Sequence, residues 1–590
     1  MEARVGSRSG LLLVIAVVLL IRLPFLNQAI QGDDDTYLSE AQHALVDPLH
    51  PADTTYVFQG VTVDLRGHPH PPLNAWILAG LLAVFGDVRE VPFHAAYLVF
   101  SLIAAVAMWS LARRFSPQPL WATLLFVSVP AFVVNGNSLE TDLPFLAFWM
   151  AAIAFFIAGR LLPAAMAMAL AAMTAYQAVF LTPILAVYLW LNRRRDWRPW
   201  VTILVPPAVI AGWQVFERVS TGVLPAAVLT GYFASYGFQG LALKLRNAAA
   251  LSIHFCFLVF PLLLPAAAWR AWRARREPEV RFLLAWVGIF FAGALVVFFA
   301  GSARYLLPLA APVALLASLL PARWLAGGFA LQLALGLGLA AVNFEHWDGY
   351  RQFARELRIP AAEHRVWVDG EWGLRHYLEA DGALPLTKNQ RLRAEDIVVS
   401  SALGHAVDFT APTSTIARRE IRSGVPLRLI GLESRSGYSD ASRGLWPFGI
   451  SGGTIDRLRA ELVMERQPTL EYLPAGAPEG AEQIVSGIYP DRWTGKSATV
   501  VLKSPKTPKR LSVTFYFPAR AGGRYVRLLL DGREVAARNF PAAGQYTLSA
   551  GPILPAGPIA AVEIDLDRTF SAPPDERELG IILSGVGFVP

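Results

Sequence analysis

Three consecutive aspartates, Asp33, Asp34 and Asp35, stand a few residues after the first apolar stretch of the sequence, and Tyr37 follows them. Adjacent carboxylates repel one another and are costly near hydrocarbon. Such a run therefore usually marks a site that handles cations, protons or sugar hydroxyls. We expect chemistry at the face of a membrane.

Two histidines, His68 and His70, lie in the run His-Pro-His-Pro-Pro-Leu at residues 68–73, just before a second apolar stretch. Prolines fix an extended approach and favour the first turn of a helix. The imidazoles are thus predicted at a helix N-terminus, where a phosphate is favoured. A stiff loop with two incidental histidines is an equally acceptable interpretation.

The composition indicates a polytopic membrane protein. Of 590 residues, 54% are hydrophobic and only 16% are charged, which is too apolar for an ordinary soluble protein. The single cysteine, Cys256, excludes an intrachain disulfide. The net charge of +7 comes from short basic clusters between apolar stretches, as the positive-inside rule predicts, so nucleic-acid binding is not expected.

Apolar stretches long enough to cross a bilayer suggest about eleven transmembrane helices. They run at about 10–28, 91–112, 118–135, 142–159, 162–177, 178–191, 199–216, 247–269, 282–300, 304–320 and 324–343. A cytoplasmic N-terminus places the basic clusters, such as Arg113 with Arg114, on the cytoplasmic side of a cytoplasmic (inner) membrane. The three aspartates, Glu140, Asp142 and Arg304 then share the outer side.

The first outside loop, about 29–90, is long for a membrane connector. Residues 35–46 have a helical pattern, and residues 72–86 form an apolar segment too short to span, which predicts a half-buried helix that stops at Gly86. Arg22, near the outer end of the first span, is expected to snorkel or to pair with a loop acid.

The remainder of the chain predicts two extracytoplasmic domains after a transmembrane domain at 1–344. Residues 345–489 contain a strand, helix and strand over 365–400 and are interpreted as an α/β domain. Residues 490–590 hold short strands separated by tight turns, including Asp531-Gly532, and predict a β-sandwich.

Four motifs resemble those of the GT-C superfamily of integral-membrane glycosyltransferases, in the protein O-mannosyltransferase branch that includes bacterial aminoarabinose transferases. They are Asp33 to Tyr37, His70 to Leu73, Glu140 to Pro144 and Ser302 to Pro308, and the resemblance covers about 10–345. The chain departs from the branch by carrying Asp where Glu usually stands second in the acidic motif, and His70 where Lys usually precedes Pro-Pro-Leu.

The resemblance implies a polyprenyl-phosphate sugar donor, an outward-facing cavity and a first-loop carboxylate as general base. Asp33 matches the catalytic aspartate best, with Asp34 next. Elementary chemistry agrees, because attack by an acceptor hydroxyl on an anomeric carbon needs a base, and a carboxylate serves once its pKa is raised. The acids could instead cap the following helix.

The predicted substrate-binding residues are the remaining polar groups of the outer face. Cations are needed to hold the phosphate of the carrier. The full set is Asp35, Tyr37, His68, His70, Glu140, Asp142, Lys244, Arg246, Arg304 and Tyr305. These residues identify no cofactor with certainty, and Asp33, Asp34 and His70 have the chemistry to bind a divalent metal.

Three other functions stay open at this point. The acceptor could be a lipid, a glycan or a protein, and a GT-C polymerase or ligase would use another acceptor. A polytopic transporter would also carry outward acids, but the charges concentrate in one loop rather than at the midplane, and paired interrupted spans are absent. A non-catalytic receptor that contacts partners through its outer domains is the third alternative.

Overall fold

The computed structural model describes residues 2–68, 70–192, 195–234, 239–298, 300–357, 364–409, 411–465, 467–518, 522–572 and 575–590. The chain divides into two compact units. The first comprises residues 1–351 and 421–455, and the second comprises residues 352–420 and 456–590. The predicted boundaries at 344/345 and 489/490 stay predictions.

Helices dominate the first unit, as the apolar stretches predict. In chain order the helices are α1 Glu2–Arg22, α2 Asp34–Ala44, α3 Leu73–Phe85, α4 Glu90–Phe115, α5 Pro119–Val127, α6 Pro130–Asn135, α7 Asp142–Ile157, α8 Leu161–Thr174, α9 Leu181–Leu191, α10 Trp197–Thr202, α11 Val205–Ser220, α12 Pro225–Ala234, α13 Gln239–Phe255, α14 Leu263–Arg273, α15 Pro278–Val297, α16 Leu307–Ala317, α17 Ala322–Glu356 and α18 Gly373–Ala380.

Strands are concentrated in the second unit. In chain order they are β1 Thr55–Phe58, β2 Val61–Asp64, β3 Val366–Asp369, β4 Leu384–Pro385, β5 Ile397–Ser401, β6 Thr413–Ile421, β7 Leu427–Arg428, β8 Gly449–Ile450, β9 Asp456–Val463, β10 Tyr472–Pro474, β11 Ile484–Ile488, β12 Thr494–Lys503, β13 Lys509–Phe517, β14 Arg524–Leu530, β15 Arg533–Phe540, β16 Gly544–Ile553, β17 Ile559–Leu566, β18 Phe570–Ala572, β19 Asp575–Leu579 and β20 Ile582–Val589.

Five helical segments of the described chain are long and apolar enough to cross a membrane: Arg8–Phe25, Glu90–Phe115, Trp197–Ser220, Pro278–Val297 and Ala322–Glu356. Shorter apolar helices fill most of the other predicted spans. The predicted multi-pass helical region is therefore confirmed, whereas the count of about eleven spans stays a prediction. The predicted span 247–269 contains two helices, α13 and α14, with a break that includes Pro261.

The predicted first outside loop, about 29–90, has the local structure that its sequence predicts. Helix α2 covers most of the predicted 35–46 segment, and α3 ends at Gly86, whose φ of 75° makes the left-handed cap that glycine favours. Between these helices, β1 and β2 form an antiparallel hairpin. Its turn residues Gln59 and Gly60 both have positive φ, so the tight connection matches the strand twist.

Arg22 connects the C-terminal end of α1 to the C-terminal end of α6 through hydrogen bonds. Its guanidinium donates to the carbonyl oxygens of Val133 at 2.6 Å and Phe132 at 2.5 Å, and to Ser101 Oγ at 3.0 Å. Helix ends leave such carbonyls without intrahelical donors. The expectation that Arg22 snorkels or pairs with a loop acid is wrong, since buried helix-end carbonyls bind it instead.

The second unit contains two strand-rich parts. One five-stranded sheet has the order β4-β3-β5-β9-β6, with β3 parallel to β4 and β5, and α18 follows β3. In the other part, the antiparallel sheets β10-β20-β13-β16 and β11-β12-β17-β14-β15 enclose a single hydrophobic core. The predicted strand-rich C-terminal region is confirmed.

Candidate functional site

Asp33 stands at the N-cap position of α2, but its side chain does not cap that helix. Instead, its Oδ2 accepts a hydrogen bond from Arg304 Nη2 at 2.8 Å, and 43% of the side chain stays exposed. Its backbone N–H donates to Glu140 Oε1 at 3.2 Å. Asp33 is thus an accessible carboxylate whose orientation is set by buried partners.

Gly32 allows this close approach of the acidic loop to Glu140. Its φ is +47°, and a Cβ at this position would lie 2.8 Å from Glu140 Oε1. A side chain at position 32 would be strained by the backbone and would press on the carboxylate. The close contact with Glu140 therefore explains why a glycine stands before the three aspartates.

Arg304 joins three carboxylates from two other parts of the chain. It lies in a 3₁₀ turn, Ala303–Leu306, and donates to Asp33 Oδ2 and to Glu140 Oε2, while its Nε lies 3.7 Å from Asp142 Oδ2. Only 13% of the Arg304 side chain is exposed. Its two Nη nitrogens donate to carboxylates, which suits a positioning role, and the predicted phosphate-binding role stays a prediction.

Three carboxylates surround this single guanidinium, so negative charge exceeds positive charge in the cluster. Burial is the main reason that the pKa of Glu140 is raised to about 8, with nearby Asp142 and Asp33 adding to the effect against Arg304. The cluster of Asp33, Glu140, Asp142 and Arg304 therefore retains a proton near neutral pH. We call this group the charge cluster.

Asp34 and Asp35 have hydrogen-bond partners other than Arg304. The Asp34 carboxylate accepts hydrogen bonds from the backbone N–H of Gln31 at 3.1 Å and of Leu139 at 2.8 Å. Burial raises the pKa of Asp34 well above its ordinary value. Asp35 Oδ2 accepts a hydrogen bond from the Tyr56 hydroxyl at 3.0 Å. Both side chains are buried and connect the first loop to its neighbours.

The predicted aromatic and histidine residues meet next to the charge cluster. Thr141 lies between Glu140 and Asp142, and its Oγ1 is 3.3 Å from both the Tyr37 hydroxyl and His70 Nδ1. The Tyr37 ring contacts the rings of His68 and His70, with centroids 4.9 and 5.8 Å away. His68 Nδ1 also lies 3.2 Å from Glu40 Oε1.

His70 is predominantly neutral at physiological pH. Burial lowers the pKa of His70 well below its ordinary value, and His68 and Arg304 act in the same direction. The ring borders a narrow cleft whose other walls include Glu40, Arg66, Tyr176 and Glu217. His70 can offer hydrogen bonds to a ligand there, but not a full positive charge.

The two predicted cations Lys244 and Arg246 bond to backbone carbonyl oxygens, and Tyr305 packs on an aromatic ring. Lys244 Nζ donates to the Phe298 carbonyl oxygen at 2.8 Å, and Arg246 Nη2 donates to the Ser442 carbonyl oxygen at 2.9 Å. Tyr305 packs on Phe298, with ring centroids 4.7 Å apart. The predicted substrate-binding roles of these three residues stay predictions.

The predicted metal ligands Asp33, Asp34 and His70 are directed to different partners. Within the described ranges, no group of three or more His, Cys, Asp or Glu side chains is arranged to hold a metal ion. The side-chain oxygens of Asp34 already accept backbone hydrogen bonds. The described residues therefore supply no preformed metal centre at these positions.

Sequence reasoning missed Tyr438 and Asn135. Tyr438 belongs to the segment 421–455, which is part of the first compact unit although the sequence predicts it in a separate domain. Its hydroxyl donates to Asn135 Oδ1, and Asn135 Nδ2 lies 3.4 Å from Glu140 Oε2. Nothing in the composition around Tyr438 distinguishes it from an ordinary loop tyrosine.

Comparisons with known proteins agree with the resemblance seen in the motifs. Residues 69–216 match the family of dolichyl-phosphate-mannose-protein mannosyltransferases, which confirms the predicted likeness to that branch of the GT-C membrane glycosyltransferases. This range includes the His-Pro-Pro-Leu and Glu140–Asp142 motifs. No curated protein sequence is significantly similar to the chain.

Solved structures with a similar arrangement include ArnT from Cupriavidus metallidurans bound to undecaprenyl phosphate. It is 15% identical, with a TM-score of 0.45, and the match covers 66% of this chain and 93% of that one. The apo structure of the same protein matches with 14% identity, a TM-score of 0.45 and coverages of 67% and 94%. Arabinofuranosyltransferase AftD from Mycobacteria matches with 12% identity, a TM-score of 0.39 and coverages of 98% and 60%.

Proposed function

We propose that this protein is a membrane glycosyltransferase that moves a sugar from a polyprenyl-phosphate donor to an acceptor hydroxyl at the outer face of the cytoplasmic membrane. The family match over residues 69–216 supports transfer from a lipid-phosphate sugar. The acceptor belongs to a lipid, a glycan or a protein. The polytopic helical region agrees with a lipid-linked substrate.

The observation that carries the proposal is the half-exposed carboxylate of Asp33 beside a buried charge cluster. Asp33 is the general base. It takes the proton of the acceptor hydroxyl while the hydroxyl oxygen forms a bond to the anomeric carbon. The bond from that carbon to the phosphate oxygen breaks, and the polyprenyl phosphate leaves with the electron pair.

The other members of the charge cluster fix the base rather than react. Arg304 holds Asp33 Oδ2 at 2.8 Å, and Glu140 and Asp142 hold the guanidinium in turn. A base must be oriented within a fraction of an ångström to be efficient, and a charged network of this kind supplies that orientation. Neutral His70, at the edge of the cleft, contributes hydrogen bonds to the donor.

The test is transfer by the purified protein in proteoliposomes with a panel of undecaprenyl-phosphate hexoses and pentoses. The wild-type protein releases undecaprenyl phosphate from at least one of them. Asp33→Asn keeps the side-chain shape and removes the base, so we expect the rate to fall by about 10² to 10⁴-fold. Asp87→Asn, in the same outside loop, is the matched control and keeps the wild-type rate.

Two results would contradict the proposal. One is an Asp33→Asn protein that folds normally and transfers sugar at the wild-type rate. The other is uptake of the lipid-linked sugar into the vesicles with no release of undecaprenyl phosphate, which would favour a transporter.

A further inference from the structure

Tyr438 lies in a compact loop of the segment 421–455, two residues after Ser436. Ser436 and Trp446 pair at the base of this loop, and Gly437 N–H donates to the Trp446 carbonyl oxygen at 2.9 Å. Only 6% of Tyr438 is exposed. The loop is tightly closed, since a Cβ at Gly437 would lie 2.1 Å from the Gly444 carbonyl oxygen. These contacts within the loop fix the place of Tyr438.

The backbone of this loop holds the residues that precede Arg304. The Tyr438 carbonyl oxygen accepts two hydrogen bonds, from Ala303 N–H at 2.8 Å and from Ser302 Oγ at 3.0 Å. A third bond runs from Ala441 N–H to the Ala300 carbonyl oxygen at 2.9 Å. Three hydrogen bonds thus fix the segment that enters the 3₁₀ turn of Arg304.

The side chain of Tyr438 contacts the Glu140 side of the charge cluster through Asn135. Its hydroxyl donates to Asn135 Oδ1 at the end of α6. That bond turns the amide nitrogen of Asn135 toward Glu140 Oε2, 3.4 Å away. The charged groups that face Glu140 are Arg304, Asp33, Asp142 and Asp34. Asn135 is a neutral hydrogen-bond donor to the same carboxylate.

We propose that Tyr438 is a positioning residue for transfer, because it connects the segment that carries Arg304 to the loop that carries Glu140. The inference rests on the proposed function and deepens it. A residue more than 130 positions after Arg304 thereby sets the geometry of the base, although it lies outside the segment that matches the mannosyltransferase family.

The test compares Tyr438→Phe with wild type in the proteoliposome assay, using the undecaprenyl-phosphate sugar that the wild type turns over. The substitution removes only the hydroxyl and keeps the backbone bonds to Ser302 and Ala303. We expect kcat to fall about tenfold, the effect of losing one well-placed hydrogen bond, with KM changed less than twofold. Ser439→Ala, an exposed neighbour in the same loop, is the control and keeps the wild-type kcat.

The pH–rate profile distinguishes positioning from a purely structural role. Without the Tyr438 hydroxyl, the Asn135 amide is released and Glu140 loses a donor that favours its ionised form. The titration of Glu140, whose pKa is raised to about 8, then moves upward by about half a pH unit, and the part of the profile near pH 8 moves with it. A structural defect would lower the fraction of active protein and leave this part of the profile in place.

A double substitution tests whether the hydroxyl acts through Asn135. Tyr438→Phe with Asn135→Ala is expected to be no slower than Asn135→Ala alone, because both remove the same connection. If Tyr438→Phe does not fold, Ser302→Ala removes one donor to the Tyr438 carbonyl oxygen and is expected to lower kcat as well.

Unchanged kcat and an unchanged profile near pH 8 in a folded Tyr438→Phe protein would overturn the inference. In that case Asp33→Asn would still be inactive, and the proposed function would stand. Wild-type transfer by Asp33→Asn would instead contradict the proposed function itself, so the two failures are distinguishable.

Discussion

At the level of single residues, three neighbouring aspartates have three different environments. Successive residues at the start of a helix project about 100° apart, so identical side chains reach different partners. Asp33 contacts Arg304, Asp34 accepts backbone hydrogen bonds, and Asp35 accepts one from the Tyr56 hydroxyl. Among these three aspartates, Asp33 has both an ionic partner and a side chain that a substrate can reach.

Asp34→Asn separates structure from chemistry in this run. An amide can accept from Leu139 N–H, but its NH₂ group then faces the N–H of Gln31, where two donors oppose each other. We expect the free energy of unfolding to fall by about 1–3 kcal/mol, the cost of an unsatisfied buried group. Transfer by the folded protein stays within a few-fold of wild type. Thermal unfolding in detergent and transfer at low temperature measure the two effects. A stable but inactive variant would assign Asp34 to the chemistry.

Glu140→Gln tests the proton held in the charge cluster. The pKa of Glu140 is raised from 4.5 to about 8, mainly by burial, so the folded state binds the proton more tightly than the unfolded state does. This contribution to stability is fully present below the unfolded pKa and is lost as pH rises toward 8. The thermal midpoint of the wild type should therefore decrease between pH 6 and pH 9. That decrease should be smaller for Glu140→Gln. An identical pH dependence in both proteins would refute the assignment.

At the level of elements, short and irregular segments position the charge cluster. The N-terminus of α2, the loop between α6 and α7, and the 3₁₀ turn before α16 each supply one side of it. Arg22 holds the end of α6, and Tyr438 holds the entry to the 3₁₀ turn. The long apolar helices serve as a rigid support for these connections.

Gly301→Ala probes the entry to the 3₁₀ turn. Gly301 has φ of +68°, and a Cβ would lie 3.0 Å from Ala441 Cβ and 3.1 Å from Asn247 Cα. A left-handed conformation costs an L-residue roughly 1–2 kcal/mol, and the contact adds to that cost. We expect a lower thermal midpoint together with slower transfer. Gly327→Ala, in α17 with no atom near its Cβ position, is the control and should be at least as stable as wild type. An unchanged thermal midpoint and transfer rate in Gly301→Ala would show that the segment is less constrained than its contacts indicate.

At the level of the whole molecule, the function needs the charge cluster on the outer side of the membrane. The basic clusters predict this orientation, because arginine is enriched in cytoplasmic loops. Trp269 and Trp272 carry Arg273 and Arg275 over their rings at 4.3 and 4.2 Å, an arrangement suited to a membrane interface.

Cysteine labelling checks this orientation directly. In a Cys256→Ser background, a Thr62→Cys protein carries its thiol in the exposed hairpin of the first loop, and Arg276→Cys carries it after α14. A membrane-impermeant maleimide should label Thr62→Cys in intact cells. It should label Arg276→Cys only after permeabilisation. The opposite pattern would invert the topology and place the charge cluster in the cytoplasm.

The sequence alone determined the features that short windows encode. Helix α3 with its stop at Gly86, helix α2, and the succession β3, α18 and β5 follow from periodicity, caps and β-propensity over a dozen residues. The apolar composition identified the membrane region, and the motif order identified the mannosyltransferase branch that the family match confirms.

Only the tertiary structure decided which of these residues meet. Asp33, Glu140 and Arg304 are far apart in the chain, and the sequence predicts a shared side of the membrane but no contact among them. It also showed that Arg304 is engaged by acids and that Tyr438 holds the cluster. These contacts depend on how helices and loops from the whole unit pack together, and burial then sets their charge. No window of neighbouring residues carries that information.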